Sequence, residues 1–437
     1  MIKGLDLRTG PNFTIDVMRF SVAVWLVSDL LPGTFLGSVE PLELNSVIAS
    51  VVYGGLVGKL LVLTSLLTIW ITYWRSVKNS FNGRVVWLLT AIYCVFYMAW
   101  SFFGIQDSPQ SARCLTILIT VGLGYFAALV CNDGVLLARV ITTVVSLQAG
   151  YAICYALTNS HSFISGTVSR ASGTYGNPMV LYPVLLFGLP LAVVLSQTTK
   201  IRILRCLWGV CGGLIMLALT LTWYRWGMVS AAVALIWLTT KLAKDKRGVG
   251  VVVVFFTALV ALTVRIRTNG LVNQTSADGS WQGRRLLWSS GFDVFKHHWL
   301  TGIGAARLSL PAFSGHFPHL HQITMLHPCS LLLLWMCEGG IGAAMLLLMF
   351  CWFVGRALNA RSTAVAWGYL AGWTGIIMAS LMDTPFGYID RDVVNIIAGA
   401  FIGAVLLLAD NTDAKPQDFS PDKDMKGELS DVLEAFA

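Results

Sequence analysis

The sequence predicts an all-α protein that crosses a membrane about twelve times and carries one large loop on the outer side. The first observation is composition: the 437 residues are 56% hydrophobic and 12% charged, with a mean hydropathy of +0.71. Soluble domains have roughly 25% charged residues. The second is a series of apolar runs of about 17 to 25 residues, the length that spans a bilayer as a helix. The third is a long polar interruption at residues 264–327.

Twelve apolar runs are candidate membrane-spanning helices. Charged residues Arg19 and Asp29 interrupt the first, and no short apolar core with a small-residue cleavage site precedes it, so this run is predicted to remain in the protein. The candidate spans are residues 17–31, 49–74, 85–103, 114–131, 135–157, 179–196, 203–222, 227–240, 249–264, 330–354, 364–382 and 393–408.

The basic residues predict the orientation. Alternate loops hold 19 of the 30 lysines and arginines, with at least one in every such loop, so the positive-inside rule places these loops and both termini in the cytoplasm. The predicted organisation is a transmembrane domain at residues 1–409, a large outer loop with short helices at 265–328, and an acidic, disordered cytoplasmic tail at 410–437.

Charge and cysteine usage exclude some functions. The net charge of +8 comes from short basic clusters between spans, which membrane topology explains better than nucleic acid. Nine of the eleven basic residues on the outer side are arginine, whose planar fork of donors suits a phosphate or carboxylate. The nine cysteines lie in or beside apolar runs without a CxxC pair, so neither a disulfide framework nor a cysteine metal site is predicted.

Two short outer connections carry candidate ligand-binding arginines. In the first, Arg170 precedes a Gly-Thr-Tyr-Gly-Asn-Pro turn that contains Tyr175 and Asn177. In the second, Thr-Trp-Tyr-Arg-Trp-Gly at residues 222–227, Arg225 lies between aromatic residues at the membrane surface. Both patterns also fit ordinary features, an arginine at the lipid headgroups in the first and an aromatic belt in the second.

The large loop carries two further candidates. Apolar residues from 287 to 299 recur at helical spacing, which predicts an amphipathic interfacial helix with Arg284 and Arg285 at its start and its N-terminal amides beside an anion site. The loop also holds six of the seven histidines. His316, His319 and His321 have a spacing that suits a metal, but no carboxylate accompanies them, so no metal is predicted.

His327 ends the loop where the chain re-enters the membrane, a position that suits a general base at neutral pH. Glu338 follows eleven residues later and is expected to be a buried, paired carboxylate.

These motifs, in this order, resemble the O-antigen ligase and Wzy polymerase superfamily, with the O-antigen ligases as the best fit. The resemblance covers residues 169–345 and includes Arg170 with its turn, the Arg225 hairpin, Arg-Arg-Leu-Leu-Trp at 284–288, Thr-Gly-Ile-Gly at 301–304, and His327 before Glu-Gly-Gly-Ile-Gly at 338–342. Twelve spans with a large loop between the ninth and tenth also resemble these ligases.

The resemblance implies a GT-C-like, metal-independent glycosyltransferase without a cofactor in the bacterial inner membrane. Its donor would be a glycan on undecaprenyl pyrophosphate, and its acceptor a hydroxyl of lipid A-core or another glycan at the periplasmic face. It implies that Arg170, Arg225, Arg284 and Arg285 bind the pyrophosphate and that His327 is catalytic. Supporting roles are implied for Tyr175, Asn177, Glu338, His319 and His321.

Two alternatives stay open from the sequence. A polymerase of the same superfamily would add the growing chain to another lipid-linked repeat unit. A transporter or flippase for an anionic lipid-linked solute would place ionisable residues deep in several spans, where the sequence offers chiefly Lys59 and Glu338.

Overall fold

The structure is a computed structural model that describes somewhat less than half of the chain. The predicted spans before residue 114, the histidines from His316 to His327, and Asn177 lie outside the described residues, as does the acidic tail. The described residues are 121–122, 124–125, 128, 133–158, 163–165, 168–175, 178–242, 254–259, 261–262, 265, 277–303, 330–340, 363–383 and 392–410.

The described residues are mostly helical. Eight longer helices are accompanied by a two-stranded antiparallel hairpin and one turn of 3-10 helix at Gly173–Tyr175. In chain order the elements are α1 (Gly134–Thr158), β1 (Phe163–Ser165), β2 (Val168–Arg170), α2 (Pro178–Thr198), α3 (Arg202–Leu221), α4 (Arg225–Leu242), α5 (Ala277–His297), α6 (Leu331–Gly339), α7 (Ala364–Ser380) and α8 (Asp392–Asp410).

Six predicted spans coincide with helices to within two residues at each end, namely α1 to α4, α7 and α8. Among the described helices, α1, α2 and α3 are at least 18 residues long and apolar enough to cross a bilayer. The helical character predicted from the apolar runs is therefore confirmed for the described residues, and three of these helices have the length and composition of membrane spans. Only the described part of the chain tests this, so the count of twelve spans stays a prediction.

Three local features differ from the sequence-based expectation. Strands β1 and β2 pair with Phe163 opposite Arg170, which adds a small hairpin to a fold predicted as all-α. Helix α6 ends at Gly339 because Gly340 has φ of +52°, so residues 330–354 are not one continuous helix. Helix α5 begins at Ala277, about two turns before Arg284. The arginines are therefore not at its start, and the predicted anion site at its N-terminal amides is wrong.

Helix α2 is the centre of the main core. It contacts α1, α3, α4, α7 and α8, and 16 of its 21 residues are buried. A Cβ atom at Gly188 would lie 2.6 Å from Cγ1 of Val145, so this glycine allows α1 and α2 to approach closely. On another face, the Phe187 ring contacts Trp373 of α7 and Phe401 of α8. Packing around α2 thus fixes the ends of its neighbours relative to one another.

The bundle has two chemically different ends. The connections at 199–201 and 222–224 are short, so α2, α3 and α4 run antiparallel. At one end Lys241 lies over the Trp367 ring, 5.3 Å from its centroid, and the Tyr369 hydroxyl donates to the Gly134 carbonyl at 2.8 Å. We call this the Lys241 end. The other, the Arg170 end, contains the end of β2, the α3–α4 turn, the start of α2 and the end of α7.

Helices α5 and α6 form a second, smaller core. Leu331, Leu333, Leu334 and Cys337 of α6 are buried against residues of α5 that include Trp288 and Phe295. The Cys337 thiol also donates to the Gly291 carbonyl, with an Sγ to oxygen distance of 3.0 Å. This pair joins the main bundle at the Arg170 end, where the amide of Leu331 donates to the Asp383 carbonyl at 3.0 Å.

Candidate active site

Arg170 is tied to the α3–α4 turn at the Arg170 end. Its Nε donates to the Thr222 carbonyl at 2.8 Å, and the amide of Ala171 donates to the Leu221 carbonyl at 2.9 Å. Only 8% of Arg170 is exposed. A buried guanidinium that is bonded to the backbone differs from an arginine at the lipid headgroups, where the charged group extends toward water. The geometry therefore favours an Arg170 side chain held inside the protein over one that extends to the lipid headgroups.

The α3–α4 turn directs Tyr224 into the protein. The Thr222 hydroxyl donates to the Leu219 carbonyl at 2.6 Å and accepts from the Tyr224 amide at 3.3 Å. Trp223 has φ of +53°, a left-handed conformation that is unusual for a bulky residue. Tyr224 is consequently 4% exposed, and its ring lies against Tyr182 of α2 with centroids 4.3 Å apart. Arg225, the next residue, begins α4 with an exposed side chain.

Asp383 is a buried acid that joins three elements at this end. It follows the end of α7 and is 3% exposed. The Tyr182 hydroxyl of α2 donates to its Oδ2 at 2.8 Å, while its backbone carbonyl accepts the bond from Leu331 described above. A hydrogen bond to an ionised carboxylate is stronger than one between neutral groups. Asp383 is thereby held at the junction of α2, α6 and α7.

Arg284 reaches the same junction from α5. Its Nη1 donates to the Met382 carbonyl at 3.0 Å, one residue before Asp383, and the side chain is partly buried. Arg285 follows on α5 with an exposed side chain. Adjacent residues on a helix lie about 100° apart around its axis, so they face different directions. Arg284 therefore joins the buried cluster and Arg285 faces outward.

Tyr224 lies within electrostatic reach of both charges. Burial raises the pKa of the Tyr224 hydroxyl well above its ordinary value of 10.0, and the negative charge of Asp383 raises it further, while Arg284 acts in the opposite direction. Burial likewise raises the pKa of Tyr175, which packs beside the main core at the end of the 3-10 turn. Both tyrosines are neutral at physiological pH, and each hydroxyl remains a hydrogen-bond donor.

The start of α6 completes the described cluster. The Ser330 side chain caps this helix by accepting from the Leu333 amide at 3.4 Å, and it lies 3.5 Å from the Ser380 carbonyl at the end of α7. Glu338 lies eight residues further along α6, about 12 Å away at 1.5 Å per residue, and is partly exposed. It belongs to the opposite end of α6 from this cluster.

The described residues thus bring together two of the predicted site arginines, Arg170 and Arg284, through Thr222, Tyr224 and Asp383. Arg225 and Arg285 lie nearby in sequence but are exposed. No group of three or more histidine, cysteine, aspartate or glutamate side chains within the described ranges could hold a metal ion. His319, His321, His327 and Asn177 are outside those ranges.

Sequence reasoning missed Tyr182, Tyr224 and Asp383 as site residues. Tyr182 lies inside an apolar run and Tyr224 inside an aromatic turn, so both resemble core or interfacial residues. Asp383 had the clearer signal, because it is an acid directly after an apolar run on the outer side, where acids are few. What the sequence does not contain is the packing of α2 against α7, which makes Tyr182 and Asp383 partners across 201 positions.

Comparison with known proteins supports the family inferred from the motifs. Residues 210–348 match the family model described as O-antigen ligase. The matched segment spans the α3–α4 turn, α5 and α6, which carry Tyr224, Arg225, Arg284 and Ser330. This segment, about a third of the chain, is therefore similar to the O-antigen ligase family, in keeping with the resemblance of the motifs to the O-antigen ligase and Wzy superfamily. Members of this superfamily are glycosyltransferase-like ligases and polymerases.

Neither a curated protein nor a solved structure matches the chain.

Proposed function

We propose that the protein is a metal-independent glycosyltransferase of the inner membrane that ligates O-antigen from undecaprenyl pyrophosphate to lipid A-core. In this proposal both termini are cytoplasmic, the Arg170 end faces the periplasm, and the Lys241 end faces the cytoplasm. The observation that carries it is the convergence of Arg170 and Arg284 on one buried cluster at the Arg170 end. A diphosphate is an anion, and its lipid tail keeps it at this depth.

The charge of the described cluster fits such a ligand. Two guanidinium groups, those of Arg170 and Arg284, lie at the same end of the bundle as the Asp383 carboxylate. Arginine stays charged when it is partly desolvated and binds phosphate with directed donors. Arg225 and Arg285, which are exposed beside this cluster, would contact the outer part of the diphosphate or the first sugar.

The length of the chain keeps His327 close to the same cluster. Only three peptide units separate His327 from Ser330, and an extended chain covers at most about 3.6 Å per residue. The Cα of His327 must therefore lie within about 11 Å of the Cα of Ser330, which caps α6 beside α7. This limit on its distance supports the proposal that His327 acts on an acceptor hydroxyl bound next to the arginines.

The proposed reaction assigns one role to each group. The acceptor oxygen attacks the anomeric carbon of the donor glycan, and its proton passes to the imidazole of His327. The bond between that carbon and the pyrophosphate oxygen breaks, and the electron pair leaves with the pyrophosphate. Arg170 and Arg284 stabilise the negative charge that develops on this leaving group.

The proposal is tested with purified protein in lipid nanodiscs, an undecaprenyl-pyrophosphate-linked glycan and lipid A-core. We expect transfer that persists in excess EDTA and falls by at least about 100-fold in His327→Ala, because a general base contributes roughly 10²–10⁴ to the rate. An Arg139→Lys variant, changed at an exposed position on α1, is the matched folding control. Full transfer by folded His327→Ala would contradict the assigned base.

A deletion strain separates the ligase from the polymerase. Loss of a ligase leaves long glycan on its lipid carrier, whereas loss of a polymerase leaves acceptors capped with one repeat unit. Movement of a lipid-linked solute across vesicles without any transfer would instead support the transporter alternative.

A further inference from the structure

The Tyr224 hydroxyl is a buried donor that makes no hydrogen bond of standard geometry among the described residues, although it lies close enough to Asp383 and Arg284 for weak hydrogen bonds with both. The side chain is 4% exposed, and the hydroxyl is near enough to Arg284 and Asp383 to feel both charges. A buried polar group without a well-aligned hydrogen bond destabilises the folded protein. A ligand that accepts a well-aligned hydrogen bond from this hydroxyl would offset that cost.

The backbone around Tyr224 is also under strain. Trp223 adopts φ of +53°, a left-handed conformation that is unfavourable for a bulky residue. The strained residue is held on both sides, because the Trp223 amide donates to Thr220 at 3.0 Å and the Thr222 carbonyl accepts from Arg170. The buried hydroxyl of Tyr224 and the left-handed backbone of Trp223 are both unfavourable, and both occur in one turn. Together they place the Tyr224 hydroxyl inside the cluster.

The neighbours of this hydroxyl define the ligand that it fits. Asp383 already accepts the Tyr182 hydroxyl at 2.8 Å, and it would repel an anion that approached it directly. The Tyr224 hydroxyl is a neutral donor that lies near both this carboxylate and the Arg284 guanidinium. An anion bound on the Arg284 side could therefore accept its hydrogen bond. Phosphate oxygens accept hydrogen bonds from both neutral and charged donors.

We propose that Tyr224 binds the substrate, donating its hydroxyl hydrogen bond to a phosphate oxygen of the lipid diphosphate beside Arg284. This assignment rests on the proposed function, since it takes the diphosphate as the ligand of the Arg170 end. It adds a neutral donor to the four arginines that the resemblance implied as ligands of the diphosphate. In the unliganded protein the same hydroxyl stays buried and neutral.

The test measures binding of farnesyl diphosphate to the full-length protein in detergent micelles, with farnesol as the uncharged control ligand. Tyr224→Phe removes one oxygen, and we expect the dissociation constant for farnesyl diphosphate to rise about 10- to 150-fold, the range for a hydrogen bond to a charged group. Binding of farnesol should not change. Tyr155→Phe removes the same atom from a tyrosine of α1 outside the cluster and should bind like the unchanged protein.

A second measurement keeps the side chain and avoids dependence on one variant. With 3-fluorotyrosine incorporated at position 224, the fluorine resonance should shift on addition of farnesyl diphosphate but not of farnesol. The same label at position 155 should stay unchanged. If the unchanged protein binds the diphosphate while Tyr224→Phe binds equally well and the resonance is static, the role of Tyr224 is wrong and the proposed function stands. If the unchanged protein does not bind the diphosphate, both proposals are wrong.

Discussion

Asp383 and Tyr182 show how a single contact holds the Arg170 end together. The Tyr182 hydroxyl of α2 donates to the carboxylate of Asp383, just after the end of α7, with an oxygen to oxygen distance of 2.8 Å. Both partners are almost fully buried. A charge-assisted bond in such surroundings contributes about 1.5–3 kcal/mol to stability. It also fixes the carboxylate beside Tyr224 and Arg284.

Removing either partner should therefore cost stability, and removing both should cost little more than removing one. We expect Asp383→Asn and Tyr182→Phe each to lower the free energy of unfolding by about 1–3 kcal/mol, with a coupling of at least about 1 kcal/mol in the double variant. Unfolding in detergent, followed by circular dichroism, measures this cycle. Purely additive losses would mean that the two groups do not interact in the folded protein.

Arg170 provides a second prediction at the residue scale. Its Nε bonds the Thr222 carbonyl, a contact that depends on the planar guanidinium and that a lysine cannot reproduce with the same geometry. We expect Arg170→Lys to reduce glycan transfer by at least about 10-fold although the charge is retained. Arg139→Lys, at an exposed position of α1, should transfer normally. Equal activity of the two variants would show that only the charge of Arg170 matters.

At the scale of elements, two glycines join α6 to the segment that follows α5. Gly302 and Gly340 have φ of +65° and +52°, and the Ile303 amide donates to the Cys337 carbonyl at 2.9 Å. A Cβ atom on Gly302 would collide with the carbonyl of Glu338, and one on Gly340 would lie 2.5 Å from the Gly302 amide nitrogen. This close backbone contact fixes α6, and thus Ser330, relative to Arg284 of α5.

Replacing these glycines by alanine should be costly. Gly302→Ala and Gly340→Ala combine a left-handed backbone with a collision against backbone atoms, so we expect each to lower the free energy of unfolding by more than about 2 kcal/mol. Gly339→Ala is the matched control, because a Cβ atom there meets nothing within 4 Å. It should be neutral or stabilising by up to about 1 kcal/mol. Comparable losses at positions 302 and 339 would contradict a specific contact.

The sequence predicted helices more reliably than it predicted their ends. Apolar periodicity located α1 to α4, α7 and α8, because a run of about 20 apolar residues has few other stable conformations in a membrane. It placed the start of α5 too late, because the prediction used only the apolar residues from 287 to 299. The helix also includes the polar residues before Arg284 and tolerates Gly279 and Gly283 at a cost of about 1 kcal/mol each. It also missed the end of α6 at Gly340, where contact with Gly302 stops an apolar run that could have continued.

At the scale of the whole molecule, the basic residues that the sequence divides between alternate loops lie at opposite ends of the bundle. Lys200, Arg202 and Lys241 lie toward the Lys241 end, whereas Arg170, Arg225 and Arg284 lie toward the Arg170 end. Loop alternation in the sequence was enough to predict this separation, because it follows from the order of antiparallel spans. The buried residues that surround these arginines were not predictable in this way. Their contacts, such as the hydrogen bond between Tyr182 and Asp383, depend on which helices pack together.

The account as a whole depends on a diphosphate that binds at the Arg170 end. The most direct measurement is a cryo-electron microscopy structure of the full-length protein with an isoprenyl diphosphate bound. We expect phosphate oxygens about 3 Å from the Arg284 guanidinium and the Tyr224 hydroxyl, with Arg170 and the His327 imidazole on the same side of the bilayer. A diphosphate bound at the Lys241 end, or a His327 imidazole facing that end, would contradict the account.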